Sequence, residues 1–158
     1  MKKRNLIRYV APFIIFVTLS ALLSALDLAK NEDTEVFTTL FLLSALLSAV
    51  ILFVRNMLEA GATVLVGKTI RKPVSFKEVF ILQGNAYITL SIALAVYLPV
   101  QQLVSAIDWS QYQNYFMASI QGTYALIIAI GLYRICKNVV ISLPIILYGI
   151  ASAIYLLV

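Results

Sequence analysis

Five long apolar runs leave little of this chain for anything except membrane-spanning helices. An α-helix needs about 20 consecutive apolar residues to cross about 30 Å of hydrocarbon. Segments of about that length cover residues 9–28, 36–54, 80–98, 115–133 and 139–158. The runs are continuously apolar, whereas the strands of a membrane barrel alternate apolar and polar residues. The sequence therefore predicts an all-α integral membrane protein with five transmembrane helices, folded as a single domain over residues 1–158.

Composition excludes several classes of function. The chain is 62% hydrophobic and 12% charged, and it contains no histidine and a single cysteine, Cys136. These numbers predict no metal site, no cofactor and no disulfide, because the usual ligands are missing or unpaired. We find no nucleophile placed beside a base and no pair of carboxylates on one face, so we expect no enzymatic activity. The net charge of +5 is concentrated beside the apolar runs, which favours lipid head groups over nucleic acid as the anionic partner.

The distribution of positive charge predicts the orientation of the chain. All of the 12 Lys and Arg residues except Lys30 fall before the first span or in the segments after the second and fourth spans. By the positive-inside rule, the N-terminus is cytoplasmic and the C-terminus extracytoplasmic. A competing interpretation treats residues 1–25 as a secretory signal with Leu23-Ser24-Ala25 at its cleavage site. The apolar run is longer than the core of about 7–15 residues that such signals use.

The connecting segments carry local signals. Residues 31–35 are short enough to predict a helical hairpin of the first two spans. Apolar residues in 100–107 recur at i, i+3, i+4 and i+7, which predicts a short helix on the outer surface. An interfacial aromatic belt is expected to follow it, formed by Trp109, Tyr112, Tyr115 and Phe116. Pro73 ends one helix, and Ser75 with Glu78 forms a capping box that begins the third span.

The stretch SALLSAL at residues 20–26 returns as SALLSAV at residues 44–50. Each copy places small residues four apart, a spacing that lets two membrane helices approach closely. The similarity does not extend into the flanking residues, so a duplicated unit is not indicated. We interpret the pair as a packing seam of the first hairpin.

Polar residues at the end of the second span are the main candidates for function. The second helix is predicted to continue through residue 66, because no stop signal occurs before Gly67. Arg55, Glu59 and Thr63 share one face of that extension, and Asn56 lies beside it. Either the extension lies within the bilayer, where such groups mark a binding cavity, or it enters the cytosol and Arg55 snorkels to the surface. The candidate interaction or polar-cavity residues are Arg55, Asn56, Glu59, Thr63, Gln83 and Asn85.

A basic turn follows this extension. Lys68, Arg71, Lys72 and Lys77 are candidates for contact with anionic lipid, each contributing about 1 kcal/mol near such a surface. The alternative is that these residues only set the topology of the chain. In the fourth span, Gln121 is expected to hydrogen-bond to a neighbouring helix.

Residues 67–80 (GKTIRKPVSFKEVF), followed by QGNAY at 83–87, resemble the Yip-domain family of Ypt/Rab-interacting membrane proteins. The chain has one glycine, Gly67, where the family commonly has a pair, and it lacks the long cytosolic N-terminal region of the eukaryotic members. It is therefore more similar to a compact prokaryotic-type member in a cytoplasmic membrane. The resemblance implies a membrane-embedded adaptor or scaffold, and it carries over no catalytic or ligand residues.

The leading hypothesis is an adaptor that binds other membrane proteins, itself or anionic lipids. The alternative is a transporter or channel component, or an antimicrobial-peptide resistance factor, that uses the polar residues as a cytoplasmic-side cavity.

Overall fold

The computed structural model describes residues 3–28, 34–104 and 109–157, and these form α-helices joined by short connections. The helices are α1 (Lys3–Leu28), α2 (Thr34–Thr69), α3 (Phe76–Leu103), α4 (Ser110–Cys136) and α5 (Leu143–Leu157), with a 3₁₀ turn at Val139–Ser142 before α5. Five helical segments in the described part of the chain are long and apolar enough to cross a membrane. The all-α prediction with five candidate spans is confirmed.

The second helix is a single continuous element of 36 residues. The predicted extension past residue 54 is confirmed, and the helix continues three residues beyond the predicted end at 66. Its buried side chains all lie in the second half, at Arg55, Asn56, Glu59, Ala60, Thr63, Val64 and Gly67. Residues 34–54 contribute no fully buried side chain. The polar face of the extension is therefore turned into the bundle, whereas the first half of α2 lies on its outside.

α2 packs against α1, α3, α5 and the 3₁₀ turn. α1 packs against α3 and α2, while α4 packs against α3 and α5. The second half of α2 also contacts α3, the 3₁₀ turn and α5. The apolar core between them includes Leu90, Leu94, Ile128, Leu132 and Ile145. This arrangement places the polar face of α2 next to the apolar core.

The connection between α2 and α3 confirms the predicted capping box. The Ser75 backbone N–H donates to Glu78 Oε2 at 2.8 Å, and the Glu78 N–H donates to Ser75 Oγ at 3.3 Å. A side chain at Gly67 would lie 2.9 Å from the carbonyl oxygen of Lys72. Only glycine fits this close return of the chain, since real Cβ atoms almost never approach another atom so closely.

The prediction of a separate surface helix at 100–107 is wrong, because residues 100–103 belong to α3. α3 runs without a break through Pro99 to Leu103, although proline inside a helix removes one backbone hydrogen bond. Residues 105–108 lie outside the described part of the chain. The aromatic belt is partly turned inward, since Phe116 stacks on Tyr97 with ring centroids 3.9 Å apart. Tyr112 and Tyr115 are exposed, as an interfacial belt requires.

The predicted fifth span also begins differently from expectation. Residues 139–142 form the 3₁₀ turn, and the α-helix starts only at Leu143. Pro144 therefore lies in the first turn of α5, where the missing backbone N–H of proline leaves no helical hydrogen bond unmade.

Candidate functional site

A network of buried polar side chains centres on Asn56 of α2, whose side chain is completely buried. The Asn56 Nδ2 donates to the hydroxyl of Tyr9 at 2.9 Å. The Asn56 Oδ1 accepts from the hydroxyl of Tyr87 at 2.8 Å and lies 3.1 Å from that of Tyr124, whose single proton is shared between Asn56 and Glu59. Since these tyrosines come from α1, α3 and α4, one side chain connects α2 to three neighbouring helices.

An ion pair lies one turn along the same helix. The Arg55 Nε donates to Glu59 Oε1 at 2.7 Å, and the two side chains are only 8% and 4% exposed. The second carboxylate oxygen accepts from the Tyr124 hydroxyl at 2.8 Å and from Gln83 Nε2 at 3.4 Å. Both oxygens of Glu59 therefore have partners, which a buried charge requires if the cost of its desolvation is to be offset.

The Arg55 guanidinium lies close to two aromatic rings. Its central carbon lies 4.4 Å from the ring centroid of Tyr124 and 4.8 Å from that of Tyr148 on α5. Its Nη1 donates to Gln121 Oε1 at 2.6 Å, whereas the buried Nη2 has no hydrogen-bond partner among the described residues. The cation is thus paired with Glu59, contacts two rings and lacks an acceptor at one nitrogen.

Arg55 lines two clefts between α2 and α5, which together we call the α2–α5 groove. The smaller cleft has a volume of about 340 Å³ and is lined by Ile51, Val54, Arg55, Leu58, Glu59, Ala62, Pro144 and Tyr148. The larger cleft has a volume of about 430 Å³ and is lined by Ile51, Leu52, Arg55, Gln121, Tyr148, Ala151, Ser152, Tyr155 and Leu156. The groove therefore combines apolar walls with a polar floor at Arg55.

The structure brings together most of the predicted polar cluster. Arg55, Asn56, Glu59 and Gln83 are linked by hydrogen bonds, as Gln83 Nε2 also donates to the backbone oxygen of Asn56 at 3.2 Å. Thr63 is buried one turn beyond Glu59, and its hydroxyl has no hydrogen-bond partner in the described structure. The cluster thus continues along the predicted face of α2.

Asn85 does not join the network, although it was predicted with Gln83 as part of the same polar cluster. Its side chain is exposed on the outer side of α3. Two residues along an α-helix are separated by about 200° around its axis, so Gln83 and Asn85 point in nearly opposite directions.

The position of Arg55 disagrees with snorkelling at the edge of the bundle. A snorkelling arginine keeps its charged head in water, but this guanidinium is buried and contacts Gln121. At a rise of 1.5 Å per residue, Arg55 lies about 21 Å from the end of α2 at Thr69, and Gln121 lies about 22 Å from the end of α4 at Cys136. Arg55 therefore lies inside the bundle, where its side chain reaches Gln121 of α4.

Four residues of the site were not predicted from the sequence, because they lie within the predicted apolar spans. They are Tyr9, Tyr87, Tyr124 and Tyr148. A buried tyrosine hydroxyl needs a hydrogen-bond partner, and this requirement is the signal that could have identified Tyr87 and Tyr124. Gln121 hydrogen-bonds across helices as expected, and its partner is the guanidinium of Arg55.

The basic turn lies apart from this network. Its four exposed cations lie at the end of α2, in the connection and in the first turn of α3; they are Lys68, Arg71, Lys72 and Lys77. Arg71 adopts a left-handed conformation, with φ of 56°, where the chain leaves α2. The turn therefore presents its positive charge to the surroundings at the same end of α2 that contacts the 3₁₀ turn.

No protein-family model, curated protein or solved structure matches this chain. Within the described residues, no group of three or more His, Cys, Asp or Glu side chains is placed to hold a metal ion.

Proposed function

We propose that this protein is a non-catalytic integral membrane adaptor that binds lipid in the α2–α5 groove. The observation that carries the proposal is the groove itself, which has apolar walls and a buried cation on its floor. Mostly apolar concave sites with a few well-placed polar groups are typical of small-molecule binding sites. An amphiphile that enters from the bilayer matches both parts of this surface.

The dimensions of the groove favour a lipid over a partner helix. Its two clefts, of about 340 Å³ and 430 Å³, both have Tyr148 in their linings. An α-helix with its side chains is about 10–12 Å across, which is wide for clefts of these volumes. An extended acyl chain is thinner and can pass beside the Tyr148 ring.

The basic turn supports a role at the membrane surface. Lys68, Arg71, Lys72 and Lys77 are exposed together, and each such cation adds about 1 kcal/mol of attraction to an anionic surface. With the N-terminus cytoplasmic, this turn lies against the inner leaflet. The resemblance to Yip-domain proteins points to the same class of membrane adaptor.

Filling the groove tests the proposal. Ala62 and Ala151 are exposed and line the smaller and the larger cleft respectively. We expect Ala62→Trp and Ala151→Trp each to reduce co-purified lipid by at least tenfold, because the indole occupies the volume that the lipid needs. Native mass spectrometry of protein extracted in mild detergent measures the retained lipid.

Ala95→Trp is the matched control, because Ala95 is an exposed residue of a different apolar groove between α1 and α3. This variant should retain lipid as the wild type does. Equal lipid retention in all three variants would overturn the proposed function.

A further inference from the structure

We infer that the groove takes an anionic amphiphile whose acidic head group binds Arg55 in the larger cleft. The inference rests on the proposed function and names the chemical class of its ligand. The shared chemistry is a pair of acidic oxygens, as in a carboxylate or a phosphate, attached to an acyl chain.

The first observation behind this inference is that Arg55 has hydrogen-bond donors without an acceptor. A guanidinium has five N–H groups and no acceptor. Nε and Nη1 donate to Glu59 and Gln121, but Nη2 is buried and has no acceptor among the described residues. A buried unsatisfied donor costs about 1–3 kcal/mol, and more when it is charged. An anion at Nη2 would remove this cost.

Two aromatic rings lie close to the guanidinium of Arg55. The ring centroids of Tyr124 and Tyr148 are 4.4 and 4.8 Å from its central carbon. The N–H groups of a guanidinium lie in its plane, and paired hydrogen bonds from them are the usual geometry for binding a carboxylate or phosphate. Tyr148 lines both clefts together with Arg55 and is 44% exposed, so a bound amphiphile would contact this ring as well.

The placement of Glu59 distinguishes the two clefts. Glu59 lines the smaller cleft but not the larger one, where Arg55 is accompanied by Gln121, Ser152 and Tyr155. Both oxygens of Glu59 are already engaged by Arg55, Gln83 and Tyr124. An acidic head group in the larger cleft would thus meet a cation and hydroxyl donors without facing a carboxylate in the lining. The smaller cleft, whose lining is more apolar, fits an acyl chain.

Head-group selectivity tests the inference. Delipidated protein in a neutral detergent would be titrated with phosphatidylglycerol and with phosphatidylcholine of identical acyl chains. Native mass spectrometry would measure the bound fraction of each lipid. We expect phosphatidylglycerol to bind at least tenfold more tightly, and equal affinities would overturn the assignment of an acidic head group.

A substitution beside Arg55 avoids removing the buried cation from its network. Ala151 is an exposed residue of the larger cleft. Ala151→Glu places a competing carboxylate there, whereas Ala151→Gln has nearly the same shape and no charge. We expect the Glu variant to bind the two lipids within twofold of each other and the Gln variant to keep the tenfold preference. Loss of the preference in both variants, or in neither, would overturn the inference.

Two competition experiments test which kind of anion the groove binds. Sodium oleate should displace phosphatidylglycerol, while oleyl alcohol at the same concentration should not. Displacement by inorganic phosphate alone would overturn the requirement for an amphiphile. If the Ala62→Trp and Ala151→Trp variants lose both phospholipids and the wild type does not distinguish them, only the head-group assignment fails. If these variants bind both lipids normally, the proposed function fails as well.

Discussion

At the scale of single residues, the side chain of Asn56 connects α2 to three other helices. Its amide group engages hydroxyls of Tyr9, Tyr87 and Tyr124, and each tyrosine belongs to a different helix. Such contacts are valuable in a bilayer because its interior provides no water to satisfy a broken hydrogen bond. They also fix the rotation of α2, since a turn about its axis would break all three contacts at once.

Replacing Asn56 with leucine should destabilise the protein by about 2 kcal/mol. Each hydrogen bond between membrane helices is worth about 0.6 kcal/mol on average, and the substitution removes three of them. Reversible unfolding in mixed micelles with increasing SDS would measure the change in the free energy of unfolding.

Asn85→Leu provides the matched control for this prediction. The residue type and the substitution are the same, but Asn85 is exposed on the outer side of α3. The free energy of unfolding should change by less than about 0.5 kcal/mol, as is usual for surface positions. Equal destabilisation by both substitutions would contradict the central role of Asn56.

At the scale of helices, α1 and α3 approach closely at Gly84. A Cβ atom there would overlap the carbonyl oxygen of Arg8 and lie 3.0 Å from the Cα of Tyr9. Neither neighbour is a flexible side chain, so a larger residue would force the helices apart. The close approach keeps Tyr9 within reach of Asn56.

Gly84→Ala should therefore destabilise the bundle by about 1–3 kcal/mol, the usual cost of overpacking. Gly61→Ala on α2 is the control, because a Cβ atom at Gly61 would have no neighbour within 4 Å. Alanine has a higher helix propensity than glycine by about 0.8–1 kcal/mol, so Gly61→Ala should leave stability unchanged or raise it. The same SDS titration distinguishes the two variants, and the prediction is wrong if both have the same effect.

The repeated SALLSA segments also act at this scale. In the first copy, Ala21 and Ala25 have no exposed surface, whereas the small residues of the second copy are only partly buried. α1 packs against both α2 and α3, so its small residues are enclosed from two sides. The first half of α2 lies at the outside of the bundle. Two nearly identical stretches therefore have different degrees of burial because their helices occupy different positions.

At the scale of the whole molecule, orientation in the membrane is open to a direct test. The positive-inside rule places the turn between α2 and α3 in the cytoplasm and the start of α2 on the opposite side. Lys77 and Glu35 are exposed residues near these two ends of α2. Cys136 is the single native cysteine, so Cys136→Ala provides a cysteine-free background.

In that background, Glu35→Cys should react with a membrane-impermeant maleimide added to intact cells. Lys77→Cys should react only after the membrane has been opened. Gel-shift labelling measures both reactions. The reverse pattern would show an inverted orientation, and labelling of both positions from one side would contradict a membrane-spanning α2.

Much of the fold can be predicted from local sequence patterns, without knowing how the helices pack together. The extension of α2 followed from the absence of a stop signal, and the capping box at Ser75 depends on residues only three apart. The prediction that Asn85 joins the polar cluster is wrong because Gln83 and Asn85 lie in the same helical turn but on nearly opposite sides of α3. Tyr87 and Tyr124 were missed because a hydropathy pattern does not show where a tyrosine hydroxyl points.

The five apolar helices, their approximate lengths and the polar face that begins at Arg55 can all be predicted from the sequence. These properties depend on hydrophobicity and helical period, which act within one segment of the chain. The assembled fold is needed to see that Asn56 contacts three tyrosines, that the Tyr148 ring lies close to the Arg55 guanidinium and that Nη2 of Arg55 is buried without an acceptor among the described residues. Those contacts depend on how separate helices rotate and cross, and residues far apart along the chain set that geometry together.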